Sequence, residues 1–137
     1  MAPTVTHDLE IAGKRTLSGE EWLQVQHTFY EGFAIVSGVG EMLGLISTGV
    51  LAYLLWIRWT GFFLTLIAAL CFFGTLAMFA FGNRSISQLI ATWTPQTSSV
   101  TWRQTRDAWD AFHAISSVFA TLAFITLLIA LLRDIAQ

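Results

Sequence analysis

Three long runs almost free of charge restrict what this chain can become. Gly32 to Ile57 holds one charged residue, Glu41, while Trp59 to Gly82 and Ala111 to Leu132 hold none. At 26, 24 and 22 residues, each exceeds the roughly 20 that a helix needs to cross a hydrocarbon core. Lipid offers the backbone no hydrogen-bond partner, so spans of this pattern must satisfy their own amides as helices. The expected fold is all-α: three transmembrane helices, spanning about 32–57, 59–82 and 111–132, in an up-down bundle. Only 12% of the 137 residues are charged, about half the share in a soluble domain. The setting is therefore an integral, multi-pass membrane protein.

The flanks carry the organisation. Residues 1–17 read as a polar tail, in which Val5, Leu9 and Ile11 alternate loosely as in a short extended segment, ahead of one helical domain over 18–137. MAPTVTHDLEIAGKR has no apolar h-region, so it does not read as a cleavable signal. LSGEEW starts a helix: Ser18 can cap it, Glu21 can reach back, and Leu17 and Trp22 are placed for a hydrophobic staple. WIRWTG is an interfacial turn with tryptophans at headgroup depth. After FGNR, Ile86, Leu89, Ile90 and Trp93 recur with helical spacing, which predicts a short interfacial helix over about 85–94 that Pro95 stops. The third helix begins near Thr101, several turns ahead of its apolar run.

Twelve of the sixteen charged residues lie in 1–31 and 83–110, segments that three up-and-down spans bring to one side. The stretch RDAWDAFHA stacks Arg106, Asp110 and His113 on one helix face at i, i+4 and i+7. Its opposite face, Ala108, Phe112, Ile115 and Phe119, reads as lipid-ready. Ionisable groups beside lipid need partners, so Arg106, Asp110 and His113 are expected to form one connected polar cluster with Asn83 and with Glu31 or Glu41. Tyr30, Trp102 and Trp109 would line it. Glu41 lies deep in the first span, on a face with Ala34, Gly38 and Thr48, where a carboxylate is costly and turns toward protein.

Partners and cofactors follow from the same inventory. A net charge of −2 and no basic run argue against nucleic acid. Membrane lipids are obligatory neighbours, an apolar or aromatic small molecule suits the one-sided cluster, and Gly40 with Gly44 supplies a small-xxx-small face for a homo-oligomer. An accessory or assembly subunit fits the same features. His27 and His113 could clamp a haem iron, and Glu31, Glu41, Asp110 and the histidines could ligate iron or zinc, but no ligand-spacing motif is present. The expectation is no cofactor and no metal. Cys71, the single cysteine, reads as a small core residue. Five of the seven lysines and arginines (Lys14, Arg15, Arg84, Arg103 and Arg106) lie on the N-terminal side. The positive-inside rule places that side in the cytoplasm of a bacterial inner or plasma membrane.

FGNRSISQLIATWTP followed by TWRQTRDAWDAFHAISSVFATLAFITLLIALL resembles the small membrane family that includes anthrone oxygenases. The matching residues are Asn83, Trp102, Arg106, Trp109 and His113. That family usually has four spans, where three are read here, and an Asn-x-Pro-x-Asn motif where this chain has Asn83, Arg84, Ser85, Ile86 and Ser87. The resemblance implies a cofactor-free oxygenation of an anthrone-like aromatic compound. His113 would be the base, Asp110 or Glu41 would orient it or relay its proton, and Arg106 would stabilise an enolate oxygen. Trp102 and Trp109 would stack the flat substrate.

Overall fold

The computed structural model describes residues 9–97 and 100–135; within these, the side chains of Glu31, Phe33, Ala34, Asp134 and Ile135 lie outside the described set. The helices are α1 (Gly19–Val25), α2 (Glu31–Leu54), α3 (Trp59–Met78), α4 (Arg84–Ala91) and α5 (Trp102–Ile135). Three of them are long and apolar enough to cross a membrane, and no strand occurs among the described residues. The chain is an all-α integral membrane protein.

Two joints differ from their expected form. Between α1 and α2, residues Gln26–Tyr30 make a π-helical turn, and between α3 and α4, Phe79–Asn83 make another. Each turn of this kind holds an extra residue and rotates the faces beyond it without breaking the rod. The second span therefore does not stop at FGNR: it runs on through the π turn as one 33-residue helix, Trp59–Ala91. The expected helix around 85–94 is present as α4, continuous with the span. The irregularity in the first helix falls at Gln26–Tyr30, upstream of Gly32, Gly38 and Gly40.

All three rods overrun the bilayer on one side. The 34 residues of α5 extend about 51 Å at 1.5 Å per residue, against a hydrocarbon core of about 30 Å. The overrun gathers α1, α4 and the first turns of α5 into a headpiece outside the spans. Its core is Trp22, Leu23, Ile90, Trp93 and Trp109, with Leu17, Tyr30, Ile86 and Trp102 packed against them. The start of α1 is fixed as its sequence predicts. Ser18 Oγ accepts from the Glu21 amide at 3.3 Å, the Glu21 carboxylate accepts from the Ser18 amide at 2.8 Å, and Leu17 packs on the cluster containing Trp22. The tail is helical over 9–14 rather than extended, because Glu10 and Lys14 pair one turn apart at 2.7 Å. Val5 and His7 lie outside the described residues.

Within the membrane α3 is the middle helix. Both α2 and α5 pack along it, and α2 and α5 hardly touch each other. Of the most apolar window, 28% is buried in the second span but only 11% in the first, so most of α2 faces lipid. Glycines on the inner faces receive aromatic rings. Phe72 fills the hollow at Gly44, Phe119 that at Gly74 and Phe112 that at Gly82. This corrects the expected lipid-ready face of α5: Ala108 and Ile115 are exposed, but Phe112 and Phe119 turn inward beside Ser116, Ala120 and Ala123. A glycine opposite each ring leaves room that a Cβ would fill. Gly44 is thereby used inside the chain, while Gly40 has nothing within 4 Å.

Candidate ligand-binding site in the headpiece

The site residues sit where the π turns meet α5. Rotation through the first turn keeps Trp22, Gln26 and Tyr30 toward α5: Trp22 lies 6.0 Å from Trp102, and Tyr30 meets Trp109 edge-on at 5.2 Å. These contacts run in the same direction along both helices. On the other rod, Asn83, Ser87 and Ile90 share a face at i, i+4 and i+7. Gly82 abuts Phe112, and Ser87 accepts from Trp109 Nε1 at 3.2 Å. That register is antiparallel. The three segments thus enclose one layer around residues 102–113.

Asn83, Trp109 and Asp110 are each 3% exposed and Arg106 is 8% exposed, so the structure brings these expected residues into the protein interior. Among the described contacts, Arg106 pairs outside the expected cluster. Arg106 donates from Nε and Nη2 to Asp107 at 3.0 and 2.8 Å, and its guanidinium lies 5.3 Å from the Trp102 ring. It does not link to Asp110, because the neighbouring Asp107 on the same turn reaches it first. The Arg103 guanidinium also lies near the Trp102 ring, at 5.5 Å.

His113 is half-buried, stacked 4.0 Å from Trp109, with Nδ1 at 3.0 Å from the Trp109 carbonyl. A carbonyl only accepts, so Nδ1 carries a proton, and in the neutral form of the ring the lone pair then lies on Nε2. His27 is exposed, and its Nε2 donates to the Ile90 carbonyl at 3.1 Å. It ties the first rod to the last turn of α4, at a carbonyl that also accepts from the Trp93 amide at 3.0 Å. Both imidazoles considered for a haem clamp are thus engaged by backbone. Among the described residues no three His, Cys, Asp or Glu side chains are grouped to hold a metal ion. The Glu31 side chain, an expected lining residue, is outside the described set.

Glu41 lies below this layer. It faces Thr75 of α3, whose hydroxyl donates to the Phe72 carbonyl at 2.8 Å. No described contact joins Glu41 to Asp110 or His113.

Of the participants that follow, Asn83 was expected, whereas Trp22, Gln26 and Lys14 were not anticipated. Trp22 Nε1, Gln26 Nε2 and Asn83 Oδ1 are fully enclosed, yet find no hydrogen-bond partner among the described residues. Lys14, from the tail, is 6% exposed; it pairs with Glu10, contacts the Tyr30 hydroxyl and lies 4.2 Å over the Tyr30 ring. The Tyr30 hydroxyl donates to Glu10 at 2.7 Å. The spacing of Trp22, Gln26 and Tyr30 was a usable signal, since it marks one helix stripe carrying an amide between two aromatics. Lys14 gave none, because its burial depends on the fold of the tail.

Searches against protein-family models, curated proteins and solved structures find no match to this chain. What these features define is a class, a three-span membrane protein with an aromatic, polar-cored headpiece.

Proposed function

We propose that the headpiece binds a lipid-soluble aromatic small molecule in the layer between Gln26, Asn83 and the Trp109–His113 face. The observation that carries this reading is the trio of enclosed polar atoms without partners, Trp22 Nε1, Gln26 Nε2 and Asn83 Oδ1. Buried polar groups are nearly always hydrogen-bonded, and each one left unmade costs about 1–3 kcal/mol. Three in one aromatic-walled layer, at the level where α5 enters the membrane, mark a place built for a guest. Because α2 and α5 hardly touch, an apolar compound dissolved in the bilayer has a lateral route between them.

The test is tryptophan emission of the protein in lipid nanodiscs, titrated with a planar tricyclic ketone. Saturable quenching that weakens at least tenfold in Asn83→Leu supports the site. Quenching that rises linearly with ligand, as in empty nanodiscs, would refute it.

A second reading is favoured by the His113 tautomer and by the resemblance to anthrone oxygenases. With the proton held on Nδ1, Nε2 is the basic atom. It would take a proton from the acidic methylene of an anthrone. The resulting carbanion would add to dioxygen, and the peroxide anion so formed would take the proton back from Nε2 to become a hydroperoxide, which loses water to leave the quinone carbonyl. Oxygen uptake with anthrone, abolished in His113→Gln while quenching persists, would establish turnover. Equal uptake by His113→Gln leaves binding alone.

A further inference from the structure

The charges of the headpiece and the order of its unmatched atoms say more about the guest. Both buried cations are neutralised within the chain, Arg106 by Asp107 and Lys14 by Glu10. Asp110 is enclosed in the same headpiece. The enclosed atoms of Trp22, Gln26 and Asn83 that find no hydrogen-bond partner among the described residues are neutral: two N–H donors and one carbonyl oxygen.

Their positions follow from the packing register. Trp22 pairs with Trp102 and Tyr30 with Trp109, which puts Gln26 level with Arg106. Gly82 abuts Phe112 and Ser87 bonds Trp109, which puts Asn83 level with Asp110 to Phe112. The donor and the acceptor are therefore about five residues apart along α5, roughly 7 Å at 1.5 Å per residue. The donors lie on the outer side and the acceptor toward the membrane.

We infer that the guest is an uncharged compound with a hydrogen-bond acceptor at its outer end and a hydroxyl or N–H about one aromatic ring deeper, accepting from Gln26 Nε2 and Trp22 Nε1 and donating to Asn83 Oδ1. This inference rests on the headpiece being a binding site, and the test separates the two. The probes are 4-hydroxybenzophenone, benzophenone and 4-benzoylbenzoate. The first carries a carbonyl and a hydroxyl separated by one ring, the second the carbonyl alone, and the third a carboxylate in place of the hydroxyl. All three insert into nearby C–H bonds under near-ultraviolet light, so saturable insertion can be mapped by peptide mass spectrometry on the full chain in phosphatidylcholine nanodiscs, at mildly acidic pH where the phenol is neutral.

The expected order of half-saturation is 4-hydroxybenzophenone about tenfold tighter than benzophenone, the effect of one buried hydrogen bond, with 4-benzoylbenzoate weakest. In Asn83→Leu, 4-hydroxybenzophenone falls to the benzophenone level; in Gln26→Met all three weaken together. Equal binding of the first two probes, or preference for the carboxylate, overturns the uncharged two-ended guest while the site stands. Absence of saturable insertion by any of the three overturns the site itself. Circular dichroism and gel filtration of each variant separate lost binding from lost folding, and should Asn83→Leu not fold, the Gln26→Met arm and the wild-type order still decide.

Discussion

Replacing Gly82 by alanine tests the packing that holds the π turn against α5. A Cβ there would lie 2.6 Å from Phe112 Cγ and closer still to two other ring carbons. Cγ is the root of the ring, so the side chain cannot bend its tip aside; the whole ring or the helix must move. Overpacking of this kind costs about 1–3 kcal/mol, less the 0.5–1 kcal/mol or so that alanine gains over glycine in a helix. The net expectation is a loss of about 1–2 kcal/mol. Gly74→Ala meets Phe119 at 3.2 Å, which a shift of a few tenths of an ångström relieves, so its stability should stay near wild type. Gly38→Ala meets nothing within 4 Å and should gain about 0.5–1 kcal/mol. Unfolding in mixed micelles of rising dodecyl sulfate, followed by tryptophan emission, ranks the three. The decisive control is Phe112→Ala, in which Gly82→Ala should lose most of its cost, a coupling expected between touching residues. If Gly82→Ala is as stable as Gly38→Ala, or costs the same without the Phe112 ring, the packing described for this joint is wrong.

The three spans, the Ser18–Glu21 box, the WIRWTG turn and the start of α5 were legible because each depends on local chemistry: apolar length, a capping side chain or an interfacial tryptophan. The one-sided gathering of Asn83, Trp109, Asp110 and His113 was legible too, since alternating spans require it. The misread parts depend on contacts between segments. Nothing in QHTFY or FAFGN announces a π turn; the extra residue is accommodated where packing on α5 fixes the faces above and below it. Phe112 and Phe119 look ready for lipid until Gly82 and Gly74 are seen opposite them. Arg106 was expected to reach Asp110 one turn on, but Asp107, its neighbour in sequence, offers a nearer carboxylate. Gln26 was passed over because a single amide in the polar run QVQHT attracts no notice by itself; its place on the Trp22–Gln26–Tyr30 stripe was the available signal, and its enclosure gives that stripe meaning.

The Ser18–Glu21 box should make stability depend on pH. The Ser18 amide and hydroxyl hold the Glu21 carboxyl below its ordinary value of 4.5. Its contribution is thus complete above that value and fades as pH falls through the lowered one, so the gap between the melting curves of wild type and Ser18→Ala should narrow in acid to the pH-independent cap on the Glu21 amide and widen toward neutrality. Glu41→Gln should fold, because an amide can still meet Thr75, whereas Glu41→Lys should fail to assemble, as measured by monodispersity in detergent. With Cys71→Ala as background, Arg58→Cys and Gln104→Cys should be labelled by an impermeant maleimide from opposite sides; labelling from one side would contradict three spans. Gln26→Met addresses why an enclosed amide is retained at all. Its Nε2 is unmatched, and a buried donor without a partner costs about 1–3 kcal/mol. Methionine has nearly the same length and reach, fills the same space and brings no N–H. Without ligand, Gln26→Met should therefore be more stable than wild type by about 1 kcal/mol or more. A guest that satisfies Gln26 stabilises wild type by mass action, so saturating 4-hydroxybenzophenone should close or reverse that gap. Dodecyl sulfate titrations of both proteins with and without the probe measure all four corners. A Gln26→Met protein less stable than wild type without ligand would show that the amide serves the fold, and the case for a site built around unmatched atoms would lose its main support.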